Sequence, residues 1–239
     1  IAQYVGAGQK DEGKSMANQI FACAMLFSVV CSTVCFIAAP GIINWLGADP
    51  ETFVHAQTYL RIVIWDMPFL YMVNIFSAVH QAQGDAVRPM LLNLGGILIN
   101  MVLDPLLMIT FDMGTAGAAL ATLLAKAVPA VAAFVLLSNP KKDIHLDVRH
   151  IRFEKEKLKM ILKVGLPTAI GGSTMQLGFL LMSRNVYVYG TGAMAAYGIG
   201  NKVNGLITLP SNGIGSATAT IVAQNMGAGQ QERAEKGFR

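Results

Sequence analysis

The sequence has 239 residues, of which 54% are hydrophobic and only 13% charged, and its formal net charge is +4. Soluble domains carry roughly 25% charged residues, so the composition excludes an ordinary water-soluble domain and indicates a chain surrounded by lipid. The basic excess does not indicate nucleic-acid binding, because Lys and Arg lie between apolar stretches and do not alternate with aromatic residues.

Six apolar stretches are each long enough to cross a bilayer as a helix, which needs about 20 residues. In chain order they are residues 17–39, 54–81, 89–111, 117–137, 158–189 and 193–226. Turns rich in Gly, Asp and Pro separate most of them, and the longest polar segment is 138–157. The pattern predicts an all-α fold, a polytopic transmembrane helix bundle.

Most Lys and Arg residues lie in or beside alternate loops. The loops after the first, third and fifth stretches contain no Lys or Arg. All but four of these residues lie in the N-terminal segment, the 82–88 loop, the start of the fifth stretch, the 138–157 linker or the C-terminal tail. The positive-inside rule therefore predicts a multi-pass protein of the inner or plasma membrane. The linker 138–157 and both chain ends are expected in the cytoplasm.

An eight-residue motif occurs twice, as AQYVGAGQ at residues 2–9 and AQNMGAGQ at 223–230. Six stretches separate the copies, and an even number returns the chain to the same face, which predicts a parallel six-helix repeat. Internal repeats are typical of secondary transporters. We expect twelve helices in two lobes. Residues 1–137 would form the last four helices of the first lobe and 158–239 the first two of the second, so the chain is expected to be a fragment.

Asp104 is the leading candidate for a functional residue, because ionisable side chains in membrane helices are costly and usually functional. Asn100 lies one turn earlier on the same helix face, and Pro105 leaves the Met101 carbonyl without its helical N–H. Thr122 lies at a similar expected depth on the next stretch. Their oxygens suit a hard cation such as Na⁺. Alternatively, Asp104 carries a proton itself, or it caps a helix broken by Pro105.

Several short motifs occur in a familiar order. They are QYVGAG at 3–8, GDAVRP at 84–89, NMVLDP at 100–105, GTAGAALAT at 114–122, GLP at 165–167 and QNMGAG at 224–229. In these motifs the chain resembles the multidrug and toxic compound extrusion (MATE) family. The resemblance implies a twelve-helix exporter of organic cations and drugs, driven by inward Na⁺ or H⁺.

The resemblance also implies that Asn100, Asp104 and Thr122 form the coupling-cation site of the first lobe. Some family members have a Glu near Met175 and Gln176 on the fifth stretch, but this sequence has no acid there. A mechanism that needs a carboxylate at that place is therefore not expected here.

Other charged and polar residues within the stretches are candidates for a substrate cavity. They are Asp66, Gln176, Arg184 and Lys202. Lys126, one turn after Thr122, is not expected from the family pattern. It either pairs with Asp104 or extends its ammonium toward the membrane surface.

The predicted function is secondary active efflux of amphipathic or cationic small molecules, by antiport with Na⁺ or H⁺ and alternating access between the lobes. A lipid or oligosaccharide flippase is the alternative, since Lys126, Arg184 and Lys202 would suit its cavity. A membrane-embedded enzyme is not expected, because the sequence shows no catalytic constellation. We expect no cofactor besides the coupling ion, no nucleic-acid partner, and a monomer at full length.

Overall fold

The computed structural model describes residues 1–45, 50–139, 144–147 and 153–238. Across these ranges the regular structure is helical, without a strand, which confirms the predicted all-α fold. The chain divides into two compact units, Ile1–Arg152 and Phe153–Arg239. The boundary falls inside the 138–157 segment, while the assignment of the units to two lobes stays a prediction.

The first unit contains six α-helices and two short irregular turns within its described part. They are α1 (Ala2–Gly6), α2 (Lys10–Trp45), α3 (Pro50–Val63), a 3-10 turn (Ile64–Asp66), α4 (Met67–Ala82), α5 (Val87–Pro105), a π-helical turn (Leu106–Thr110) and α6 (Gly114–Leu137). Among the described residues, four segments are long and apolar enough to cross a membrane: Lys10–Asn44, Phe53–Ala82, Val87–Thr110 and Gly114–Leu137. They correspond to the first four predicted stretches.

The second unit contains α7 (Lys155–Tyr187), α8 (Thr191–Gly227) and the short α9 (Gln231–Phe238) in its described residues. The first two have 33 and 37 residues, and they pack against each other. They are long enough for a membrane but are not among the four segments above. Many Gly, Ser, Thr and Asn residues make them less apolar, and that they cross the membrane stays a prediction.

The second predicted stretch is broken in its middle by the 3-10 turn. Pro68 has no N–H, so the carbonyl of Ile64 loses its usual helical partner. The Met67 amide donates to that carbonyl, and so does the Ser32 hydroxyl of α2, at 3.0 Å in a buried position. The Ser32 side chain of α2 therefore stabilises the break in the helix.

Small residues allow α5, the π-helical turn and α6 to approach closely. A Cβ added at Gly96 would lie 3.0 Å from the Ala125 carbonyl oxygen, and one at Gly117 would lie 2.7 Å from that of Leu107. Close backbone approach at glycine is a common way of packing membrane helices. The π-helical turn follows Pro105 directly, with the Phe111 amide bonded to the Leu106 carbonyl at 3.1 Å.

The apolar core of the first unit lies between α2, α4, α6 and part of the 138–157 segment. Phe76 and Leu137 are among its fully buried members, and Ile144 and Leu146 of the polar segment are buried in it as well. The amide of Leu146 donates to the carbonyl of Leu137 at 2.8 Å, and that of Asp147 donates to the Asn18 side chain at 3.0 Å. The described residues 144–147 are thus a packed part of this unit.

The two copies of the repeated motif have the same local structure. Each ends a helix with a glycine at positive φ, +71° at Gly8 and +70° at Gly229. In the first copy, Gln9 N–H donates to Tyr4 at 2.9 Å, and in the second, Gln230 N–H donates to Asn225 at 2.9 Å. These bonds close the helix end as a Schellman motif. The sequence repeat is therefore also a structural one at this scale.

Candidate functional site

A cavity of about 260 Å³ lies between α4, α5 and α6 in the first unit. Its lining is mostly apolar and includes four polar side chains: Asn93, Asn100, Thr122 and Lys126. A largely apolar cavity with a few polar groups is typical of a binding site. We take this cavity and its polar side chains as the candidate functional site.

Helical spacing brings these polar residues to one place. Asn93 and Asn100 are seven residues apart on α5, and Thr122 and Lys126 are four apart on α6, so each pair occupies one helix face. Gly96 lies between the two asparagines and allows the α6 backbone to approach. Close packing of α5 and α6 thereby sets both faces around the same cavity.

Asp104 is linked to the cavity through Asn100. The Asn100 side-chain amide donates to a carboxylate oxygen of Asp104 at 3.2 Å, and both residues are half-buried. The predicted association of Asn100 with Asp104 is therefore present in the structure. Asn100 keeps its own amide oxygen for a further contact, as a cation ligand requires.

Thr122 lies on the opposite wall of the cavity from α5. Its hydroxyl donates to the Ala118 carbonyl of its own helix at 2.9 Å, which leaves the lone pairs of the hydroxyl oxygen as acceptors. Asn100 and Thr122 thus line one cavity. That Asn100, Asp104 and Thr122 bind a coupling cation stays a prediction.

Lys126 pairs with Asp66 and not with Asp104. Its ammonium contacts a carboxylate oxygen of Asp66 in the 3-10 turn between α3 and α4. The Asp66 side chain is only 8% exposed, while that of Lys126 is 37% exposed because it also faces the cavity. Asp66 is thus the buried counter-charge of a residue that lines the cavity, and its predicted place in a substrate cavity stays a prediction.

The remaining charged and polar residues that the structure describes in the predicted stretches are not among the residues that line this cavity. Arg61 of α3 stacks over the ring of Phe36 with its guanidinium carbon 5.1 Å from the ring centre, a cation–π contact. In the second unit, Gln176, Arg184 and Lys202 are exposed on α7 and α8. Their role in a substrate cavity stays a prediction.

The Asp66–Lys126 pair is what sequence reasoning missed. The sequence placed Asp66 among the candidates for a substrate cavity, and for Lys126 it offered either a pair with Asp104 or an ammonium extended toward the membrane surface. Spacing along one helix shows which residues share a face but not which other helix packs on that face. The available signal was the charge count: the four predicted spans of the first unit carry two acids and two bases, which favours pairing across helices.

The fold and the cavity define a helical membrane protein with a charged, partly polar site between its helices. A model of the MatE family matches residues 1–106 and 167–239. The chain belongs to the MatE family, which confirms the resemblance drawn from its motifs. The matched ranges include Asn100 and Asp104, whereas Thr122 and Lys126 lie between them.

Curated relatives carry names of multidrug resistance proteins. The chain is 26% identical to the probable multidrug resistance protein YoeA of Bacillus subtilis, over 100% of this chain and 53% of that protein. It is 28% identical to the probable multidrug resistance protein NorM of Thermotoga maritima, over 97% of this chain and 51% of that protein. The chain thus spans about half the length of these relatives.

Solved structures have the same fold. A transporter of the MOP superfamily from Pyrococcus furiosus superposes with a TM-score of 0.90, covering 99% of this chain and 53% of that one. The sequence identity is 24%, so this likeness shows the fold alone. The high coverage confirms the all-α fold of the described residues.

Proposed function

We propose that the full-length protein exports amphipathic, mostly cationic small molecules across the membrane in exchange for inward Na⁺ or H⁺. The observation that carries this proposal is the contact between Asn100 and Asp104 beside a cavity that Thr122 also lines. A carboxylate within a membrane helix favours a cation or a proton, because its charge is otherwise poorly solvated. The names of the curated relatives support the choice of multidrug substrates.

The proposed mechanism couples two binding events. A cation bound by Asn100, Asp104 and Thr122 neutralises Asp104 and changes how favourably α5 and α6 pack around the cavity. Such differential binding is what shifts an equilibrium between inward-open and outward-open states. The two lobes of the complete protein would alternate access to the substrate, as in other secondary transporters built from repeats.

The flippase alternative loses part of its support. It drew on cationic residues in the cavity, yet the Lys126 charge is compensated by Asp66. Arg184 and Lys202 remain as its argument. Two assays on the reconstituted protein distinguish these functions. One measures gradient-driven export of small cations, and the other measures transfer of lipid-linked substrates.

The proposed orientation places the 138–157 segment and both ends of the chain in the cytoplasm. The supporting observation is the concentration of Lys and Arg on that side of the predicted helices. We further propose a monomer as the working form of the complete protein.

The test is an Asp104→Asn variant of the full-length protein reconstituted in liposomes. Under a Na⁺ gradient or a pH gradient, we expect the variant to lose ion-driven export of a fluorescent organic cation. The matched control is Asp112→Asn, the same substitution at an exposed loop residue with φ of +52°, a conformation that Asn also tolerates. Wild-type export from Asp104→Asn under both gradients would contradict the proposal.

A further inference from the structure

Lys126 introduces a positive charge into the cavity where the proposed cation site lies. Its side chain lines the cavity together with Asn100 and Thr122. A free ammonium there would repel an entering cation. For unit charges roughly 10 Å apart at an effective dielectric constant of about 20, the repulsion weakens cation binding by about tenfold.

The structure removes this conflict by pairing Lys126 with Asp66. The acid comes from a different part of the fold, the 3-10 turn between α3 and α4, and its side chain is only 8% exposed. The pair has no net charge. Since a lysine side chain is long and flexible, the position of its ammonium is decided by the partner that holds it.

Asp66 is suited to that task because its backbone is held in place. Pro68 interrupts the helix just after it, and the Ser32 hydroxyl of α2 bonds to the Ile64 carbonyl at the start of the turn. The carboxylate therefore projects from a turn that is tied to α2. A fixed acid holds the mobile ammonium at the turn that precedes α4.

We infer that Asp66 is a positioning residue for the cation site: it holds the Lys126 ammonium and cancels its charge, so that a cation can bind at Asn100, Asp104 and Thr122. The inference rests on the proposed function and adds to it a residue outside the predicted site. The alternative is that the pair only stabilises the packing of α6 against the turn.

A double-mutant cycle in the full-length protein separates these possibilities. Ion-driven export is measured in liposomes as a function of Na⁺ concentration and, in parallel, of external pH. For Asp66→Asn we expect half-maximal export to require about tenfold more of the driving ion. For Lys126→Met we expect it to require less than the wild type, because Asp66 then adds uncompensated negative charge beside the cavity.

The double variant, Asp66→Asn with Lys126→Met, decides the outcome. We expect it to return the ion requirement to within about twofold of the wild type, since neither charge remains. An unchanged requirement in Asp66→Asn, or a double variant as impaired as that single one, would overturn the inference. A loss of thermal stability without a change in ion requirement would assign a purely structural role to the pair.

Lys126→Met and Asp104→Asn keep the test decisive. If Asp66→Asn does not fold, a higher ion requirement in Lys126→Met than in the wild type would by itself contradict the inference. Asp104→Asn, run alongside, identifies which proposal has failed. If it retains export, the proposed function is wrong, and if it loses export while both Asp66 variants behave like wild type, only the role of Asp66 is wrong.

Discussion

Asn100 joins the carboxylate of Asp104 to the cavity, and it is the residue on which the geometry of the candidate site depends. Its amide donates to Asp104, and its side chain lines the cavity opposite Thr122. Hydrogen bonds to charged groups contribute about 1.5–3 kcal/mol. Loss of this one would leave Asp104 both less well oriented and less well stabilised in its charged form.

Replacement of Asn100 by Leu is therefore expected to raise the driving-ion concentration for half-maximal export by about tenfold, the equivalent of about 1.4 kcal/mol. The comparison variant is Asn93→Leu. Asn93 lines the same cavity, but its amide donates to the Pro89 carbonyl of its own helix at 2.8 Å. Equal effects of the two substitutions, measured by ion titration of export in liposomes, would argue against a specific role of Asn100.

At this scale the sequence predicted the association of Asn100 with Asp104, because a four-residue spacing on a helix fixes it. It also predicted that Thr122 lies at a similar depth, because a short loop joins two antiparallel helices. It did not predict the partner of Lys126. That partner depends on α6 packing against the turn after α3, a tertiary contact that no spacing in one helix reports.

The helices themselves followed closely from the apolar pattern. The first four predicted stretches coincide with the four segments that are apolar enough for a membrane, because about 20 apolar residues leave few alternatives to a helix. The irregular turns were harder to predict. Pro105 indicated where a helix is disturbed, but the 3-10 turn before Pro68 and the π-helical turn after Pro105 depend on what packs against the freed carbonyls.

The 3-10 turn depends on a single buried side-chain contact, which can be removed. Ser32→Ala deletes the hydroxyl that donates to the Ile64 carbonyl, and we expect a loss of about 1 kcal/mol in the free energy of unfolding. The neighbouring Thr33→Val is the control, since Thr33 is exposed and donates only to Val29 of its own helix. Thermal unfolding of the detergent-purified full-length protein would measure this loss of stability.

A result in which both substitutions lower the unfolding temperature equally would mean that the Ser32 contact does not hold the break. If Ser32→Ala alone lowers it, an effect on the Asp66–Lys126 pair is also expected and is measured by ion titration of export in liposomes. The turn that Ser32 ties to α2 also carries Asp66, so the ion requirement of export is then expected to rise as well.

In the whole molecule, the repeated motif shows most directly how the chain is organised. The two copies share their hydrogen bonds as well as their sequence, including a further pair in which Gly13 and Ala234 donate to Gln9 and Gln230, both at 3.0 Å. Local sequence was sufficient to predict this similarity, because a glycine at positive φ closes a helix in only a few ways. That the two copies of the motif belong to two different lobes stays a prediction.

Equal local structure predicts equal energetic effects. Gly8→Ala and Gly229→Ala should each lower the free energy of unfolding by about 1–2 kcal/mol, because an L side chain is strained in the left-handed region. In neither case would the new methyl group meet an atom within 4 Å, so only the backbone conformation contributes. Circular dichroism melts of the full-length protein would test this.

Gly171→Ala serves as the control for these two substitutions. Gly171 lies inside α7, where a Cβ would also meet nothing within 4 Å and the backbone is helical. Ala is the better helix former, so no loss is expected there. If Gly8 and Gly229 differ in cost by more than about 1 kcal/mol, the two motifs do not behave as structural copies.

The Asp66–Lys126 pair also has a consequence for biogenesis. The two residues are 60 positions apart, and ribosomes add roughly 5–20 residues per second. Asp66 therefore emerges about 3–12 s before its counter-ion, within Phe53–Ala82, the least hydropathic of the four apolar segments. An unpaired Asp at the centre of an inserting helix costs about 2.5–3.5 kcal/mol. The nascent chain must carry that charge at the translocon until α6 has been made.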